Sequence, residues 1–274
     1  MRAAVVGTGF IGLVHVEALR RLGVEVAGVV GSSPERARQK PGLPEPYESY
    51  EALLADESVD VVHITTPNHL HHPQAKAALA AGKHVVCEKP LALTSQETGE
   101  LVRLAEASGR VHCTNYNIRF YGQCHGARDR VHRGEVGRVF NVHGGYVQDW
   151  LLEETDWNWR LDPEQGGALR AVADIGSHWI DLVTFVTGKR VASVFADLAT
   201  VHPVRRIPVG PVGTRRTGCT VTRSAKTLAT RLPVTNPTRS SQCEPMSDTA
   251  RSAPPCAGSR RQFQSVSSSS QSCA

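Results

Sequence analysis

The chain alternates short, almost wholly apolar runs with segments that repeat apolar residues every three to four positions. Arg2–Val6, Val24–Val30, Val59–Thr65, Lys83–Cys87 and Arg110–Asn115 are runs of the first kind. Their near-continuous apolar character predicts strands buried on both faces. Between them, Phe10–Leu22 carries Ile11, Val14, Ala18 and Leu22 at helical spacing and stops before Gly23. Pro34–Gln39, Tyr50–Ala55, Pro73–Ala81 and Ser95–Ser108 predict further helices, the last two closed by Gly82 and Gly109. Strands alternating with helices predict an α/β, doubly wound parallel sheet over residues 1–118.

Past Arg119 the rhythm changes. Gly126–Arg133 reads as a helix, and Val136–Val147 as a longer alternating strand (Val136, Arg138, Phe140, Val142). A polar, Trp-rich loop spans Trp150 to Gly167. Asp174–Thr187 predicts a helix closed by Gly188, and Val191–Thr200 a further strand. Residues 119–207 therefore read as an incomplete α+β domain with an open sheet. From about Pro208 neither period persists, so residues 208–274 are expected to form an anomalous, disordered tail.

The 274 residues carry a formal charge of +5, which changes meaning once it is located. Residues 1–213 are at −2 and residues 214–274 at +7, so the basic excess lies outside the periodic part. The tail has one aromatic, Phe263, and no interleaving of rings and cations, which argues against a nucleic-acid partner. No apolar run reaches the ~18 residues of a membrane span, and the N-terminus lacks a signal-peptide pattern, so a cytoplasmic protein is expected. Cys87, Cys113 and Cys124 read as buried thiols, and the four tail cysteines have no metal-like spacing.

Candidate chemistry begins at Gly7-Thr8-Gly9-Phe10-Ile11-Gly12, a GxGxxG between a strand and a helix. The first glycine serves the tight turn, the second lets backbone approach a pyrophosphate, and the third allows close helix–strand packing. The second strand ends in Gly31-Ser32-Ser33, followed by Arg36, where an NAD site usually places an acidic residue. Hydroxyls and a guanidinium suit a 2′-phosphate, so NADP is slightly favoured within an NAD(P) reading. The same residues also fit an ordinary helix start, with Ser33 as N-cap and Pro34 at the first position.

Thr65-Thr66-Pro67-Asn68 and Glu88-Lys89-Pro90 end the third and fourth strands, where ligands sit in open parallel sheets. Asp174 and His178 lie four apart on the later helix, with Asp181 a turn beyond. A histidine beside a carboxylate can accept a hydroxyl proton. Trp157-Asn158-Trp159-Arg160 suits carbohydrate, with rings for C–H faces and polar groups for hydroxyls. His69, His71 and His72 have no accompanying ligand cluster, so no metal site is expected.

Taken together, GTGFIG, TPN, EKP and DIGSHWID resemble the Gfo/Idh/MocA oxidoreductases over residues 1 to about 207. The resemblance implies an NAD(P)-dependent sugar or cyclitol dehydrogenase or reductase on a Rossmann domain. It implies Lys89 as the catalytic lysine, a cis Lys89–Pro90 bond, Asp174 as ligand of a sugar hydroxyl and His178 as general acid/base. Asn68, His71 and Glu88 match cofactor-lining positions, as do Thr66 and Pro67. Asn117 and Arg119 are expected to face the cleft, with Trp159 and Arg160 on the substrate. Family members continue into an open sheet that commonly forms a homo-oligomer interface, whereas here the pattern dissolves around residues 208–214. Two readings of the tail stand: a frameshift product or a natural disordered extension. The functional alternative is a non-catalytic or defective NAD(P)-binding protein.

Overall fold

All five apolar runs become strands of one parallel sheet, in the order β2-β1-β3-β4-β5. The computed structural model describes residues 1–148, 151–168, 172–195, 202–209 and 213–218. In chain order these form β1 (Arg2–Val6), α1 (Phe10–Arg21), β2 (Glu25–Val30), α2 (Pro34–Arg38), α3 (Tyr50–Ala55), β3 (Val61–Ile64), α4 (His71–Ala80), β4 (His84–Glu88), α5 (Ser95–Ser108) and β5 (His112–Asn115). The second part contributes α6 (Gly122–His132), the short α7 (Pro163–Gly166), α8 (Ser177–Thr187), β6 (Val204–Val209) and β7 (Gly213–Gly218).

Strand alternation decides which face each residue feeds. Ala4 and Val6 of β1 join Leu53, Val62, Ile64, Ala78, Leu79 and Leu101 on one side of the sheet. Ala3 and Val5 join Val16, Leu19, Val29 and Ala37 on the other. Burying each Val or Leu side chain contributes roughly 1.5–3 kcal/mol, and both faces are filled, which explains the absence of polar alternation in these runs.

Local signals fix several boundaries. Thr94 and Glu97 form a reciprocal capping box on α5, with backbone N–H to side-chain oxygen distances of 3.2 and 3.1 Å. Gly109 closes the same helix at φ 64°, a left-handed conformation that costs other residues energy. On β1, the strand order reverses: β2 lies to one side and β3 to the other, so the turns after β1 and β3 flank a crevice.

The second part departs from expectation in three places. Residues 136–148 form no strand, although they alternate. No strand among the described residues pairs with them, and an unpaired strand leaves its backbone groups to water. Val136, Phe140 and Val147 are accordingly exposed. The segment instead lies against α8, where a Cβ on Gly144 would collide with the Trp179 ring. Residues 191–195 are also irregular, and 196–200 lie outside the described residues.

Third, β6 and β7 form an antiparallel hairpin from Val204↔Gly218 to Val209↔Gly213, so the boundary expected at 207 falls inside a strand. Hairpin pairing is a main-chain property, and it needs no apolar alternation to form. The sequence beyond 218, including the two tail readings and four cysteines, lies outside the described residues. Of the other thiols Cys87 is buried, Cys124 half-buried and Cys113 exposed, because β5 is a sheet edge.

Candidate active site

The glycine-rich turn leaves β1 with Gly7 at φ 106°, a value that glycine tolerates. Thr65 pins it from β3: its backbone N–H donates to the Val6 carbonyl at 2.7 Å, and its hydroxyl contacts the Val6 and Gly7 carbonyls at 3.0 and 3.1 Å. A Cβ on Gly12 would fall on the Gly7 carbonyl oxygen, so α1 can approach the strand only with glycine there. A Cβ on Gly9 would meet nothing within 4 Å. Gly9, Phe10 and Ile11 line a cavity of about 650 Å³. Bare backbone facing open space at a helix start is the cradle that a pyrophosphate requires. The residues present thus fit a dinucleotide.

The opposite wall holds the polar chemistry. Lys89, whose peptide bond to Pro90 is cis, donates from Nζ to Asp174 Oδ1 at 2.7 Å and to the Asp174 carbonyl at 2.9 Å. Arg160 Nε donates to the same carboxylate oxygen at 3.1 Å. Asp174 sits in a π-helical turn (Val172–Gly176) that precedes α8, and His178 follows in the first turn of α8. The His178 ring stacks on Tyr146 at 5.5 Å and meets the edge of Tyr116 at 5.8 Å. Its Nδ1 is buried without a hydrogen-bond partner. Burial, with the Lys89 charge next, lowers its pKa below the ordinary 6.5 despite the carboxylates of Asp174, Glu88 and Asp181. His178 is therefore neutral at pH 7 and able to accept a proton.

Glu88 is held from below. His15 Nε2 lies 3.1 Å from Glu88 Oε1, Asn115 Nδ2 donates to that oxygen at 2.6 Å, and His15 Nδ1 lies 2.9 Å from His63 Nδ1. Burial raises the Glu88 pKa, but the His15 and Asn115 hydrogen bonds outweigh it and keep the group ionised. Burial, with His15 next, pushes His63 down to about 4, so His63 enters this chain neutral.

Comparison with known proteins decides the family. Residues 1–116 match the oxidoreductase family's NAD-binding Rossmann fold, and residues 125–230 match the GFO/IDH/MocA C-terminal domain. The chain belongs to the Gfo/Idh/MocA family. It is 30% identical to levoglucosan dehydrogenase of Pseudarthrobacter phenanthrenivorans over 234 residues, covering 80% of this chain and 60% of that one. It is 35% identical to 1,5-anhydro-D-fructose reductase of Ensifer adhaerens over 188 residues, or 66% and 54% of the two chains. A solved structure of levoglucosan dehydrogenase in complex with NADH and L-sorbose superposes at TM-score 0.73 and 28% identity, over 81% of this chain and 61% of that one. The chain thus spans about three-fifths of the length of these relatives.

Within this Gfo/Idh/MocA chain, Thr66, Asn68, His71, Glu88, Lys89, Asn117, Trp159, Arg160, Asp174 and His178 all line the one cavity. Gly7, Thr8, Gly12 and Pro67 are not among the lining residues, and neither are Ser32, Ser33 and Arg36, which lie at the start of α2. Ser33 spends its hydroxyl as N-cap, accepting from the Arg36 N–H at 3.3 Å. The three neighbouring histidines diverge: His69 to the Gln165 carbonyl, His71 to the Thr66 and Pro90 carbonyls, and His72 to Glu100. Among the described residues no cluster of His, Cys, Asp or Glu could hold a metal ion.

Arg119 does not line the cavity. Its guanidinium grips both oxygens of Asp181 on α8, with Nε to Oδ2 at 2.6 Å. The side chain that the resemblance aimed at substrate clamps the crossover segment to α8 instead. Arg119→Met and Asp181→Asn should each lower stability by about 1–2 kcal/mol, with the double substitution costing less than their sum. A urea double-mutant cycle reads this; full additivity would show that the clamp contributes nothing.

The cavity also holds Ile118, Tyr121, Tyr146 and Gln148, which sequence reasoning did not single out. Tyr146 carried one signal, an aromatic beside Gly144 and Gly145, but the alternation read around it pointed to a strand.

Proposed function

We propose that the chain binds NAD(P) at the α1 end of the cavity and transfers hydride between nicotinamide and a sugar or cyclitol carbon at the Lys89 end. The observation that carries this reading is the convergence of Lys89, Asp174 and His178 on a cavity whose other wall is Gly9–Ile11. When bound, the dinucleotide supplies a hydride acceptor, or donor, at nicotinamide C4.

The chain's own residues do the rest. Asp174 accepts a hydrogen bond from a substrate hydroxyl and orients the carbon that bears it. Neutral His178 takes the hydroxyl proton as hydride leaves the same carbon, and a carbonyl remains. The Lys89 ammonium stabilises negative charge developing on that oxygen. Trp159, with the Arg160 guanidinium 4.5 Å from its ring centroid, offers a face for sugar C–H groups. Sugar-acting relatives support the substrate class, and free thiols at Cys87, Cys113 and Cys124 support a reducing, cytoplasmic setting. None of the helices among the described residues is long and apolar enough to cross a membrane.

The test is cofactor reduction by the whole chain across aldoses, polyols and cyclitols, with kcat/KM followed against pH. Because His178 is lowered from 6.5, oxidation should be flat at neutral pH and fall only below that value as the ring becomes protonated. His178→Asn should remove most of the rate and the acid limb with it. An acid limb unchanged in His178→Asn overturns the assignment. The second reading, a dinucleotide-binding protein without turnover, draws on the irregular 136–148 segment that carries Tyr146 to His178. It predicts tight cofactor binding and no reduction by any compound in the panel.

A further inference from the structure

The corner beyond the glycine-rich turn carries a cation that no motif marks. Lys40 follows α2 by two residues, and its ammonium donates to the Thr8 carbonyl at 2.5 Å and to Thr8 Oγ1 at 3.2 Å. Thr8 is the residue between the first two glycines of the turn. The same threonine closes the position from which a carboxylate would reach a ribose. A Cβ on Gly31, the residue that ends the second apolar run, would stand 2.9 Å from Thr8 Oγ1, 3.2 Å from its methyl and 3.4 Å from the Ala37 Cβ. An Asp or Glu at 31 would have to displace Thr8, so the absence of an acidic residue here is built into the packing.

The remaining charges of this corner sort themselves. Arg38 turns away and pairs with Glu45 and Glu48 at 2.7 and 3.0 Å. Glu35 lies against its own backbone N–H and the Ser33 hydroxyl, in the first turn of α2. Lys40, Arg36 and Ser32 are exposed, with Lys40 fixed on the turn itself. The exposed groups near Thr8 are thus two cations and a hydroxyl, against the single carboxylate of Glu35.

We propose that Lys40 is the ligand of a 2′-phosphate and that this chain selects NADP over NAD, with Arg36 and Ser32 completing the anion site. The inference rests on the dinucleotide reading above. A lysine ammonium acts as a point charge that needs no fork geometry, so it can leave the Thr8 oxygens for a phosphate with little rearrangement.

The test uses the whole chain and needs no turnover: NADPH and NADH are titrated by fluorescence, and 2′,5′-ADP and 5′-AMP compete against them. NADPH should bind ~10-fold or more tightly than NADH, as one added charge-assisted contact implies. Lys40→Met should weaken NADPH ~10-fold, leave NADH within twofold, and erase the advantage of 2′,5′-ADP over AMP. Its melting temperature should not move, since the side chain is exposed. Equal loss for both cofactors would reduce Lys40 to a support for the turn and overturn the proposal. So would NADH binding as tightly as NADPH, or Glu35→Ala weakening NADH alone, which would make Glu35 a ribose ligand. If neither cofactor binds, the dinucleotide reading itself falls, and this inference with it.

Discussion

Lys89→Met is expected to lower the proposed turnover ~10³-fold or more, while the chain still binds NAD(P) and stays folded. Methionine keeps the apolar stem of lysine and removes the ammonium that the proposed mechanism sets against the substrate oxygen. Folding survives because Asp174, whose carboxylate is mostly buried, retains Arg160 at 3.1 Å when Lys89 Nζ is gone. Without Arg160, the deletion would strand a buried charge, which costs about 3–5 kcal/mol. Single-turnover mixing with the best substrate of the panel, beside a fluorescence titration of the cofactor, separates the two effects. Turnover within tenfold of the unsubstituted chain would remove Lys89 from the reacting centre.

Gly9→Ala should weaken cofactor binding ~100-fold with no loss of stability. Gly9 has φ −75° and ψ −173°, extended backbone that any residue adopts, and the added methyl meets no protein atom within 4 Å. The methyl does enter the cavity at the start of α1, where the proposed reading sets the pyrophosphate against bare N–H groups. Gly12→Ala makes the contrast. Its methyl would fall on the Gly7 carbonyl, so α1 cannot dock and the protein should lose stability before binding can be measured. Melting curves and NADPH titration of the two variants distinguish a phosphate cradle from a merely tight turn. Undiminished binding by Gly9→Ala would show that the phosphates lie elsewhere.

What could be read from the sequence was what neighbouring residues decide among themselves. The helix at Ser95–Ser108 has the observed bounds because its cap, Thr94 with Glu97, and its stop, Gly109, are local. The five strands are evident because sheet burial on both faces leaves no polar alternation to confuse with loops. Lys89, Asp174 and His178 were found through short motifs, and the fold brings all three to one cavity. What could not be read depends on distant partners. Arg119 prefers Asp181, 62 positions away, and Lys40 reaches Thr8 across 32. Residues 136–148 alternate like a strand but have no strand beside them among the described residues, whereas the β6–β7 hairpin forms from a stretch with little apolar pattern.

The join between the domains, which in the sequence is a clean change of rhythm near residue 118, is not a place where the chain can be severed without harm. Asn68 donates to the Gly166 carbonyl at 3.1 Å, Lys89 is held by Asp174, and Leu93 packs against Gly167. A fragment ending at 118 would keep its sheet and both of its apolar cores. It would also turn the Asn68 amide and the Lys89 ammonium toward water, and so lose the enclosure that makes them useful. The nucleotide-binding half is whole as a fold and incomplete as a site.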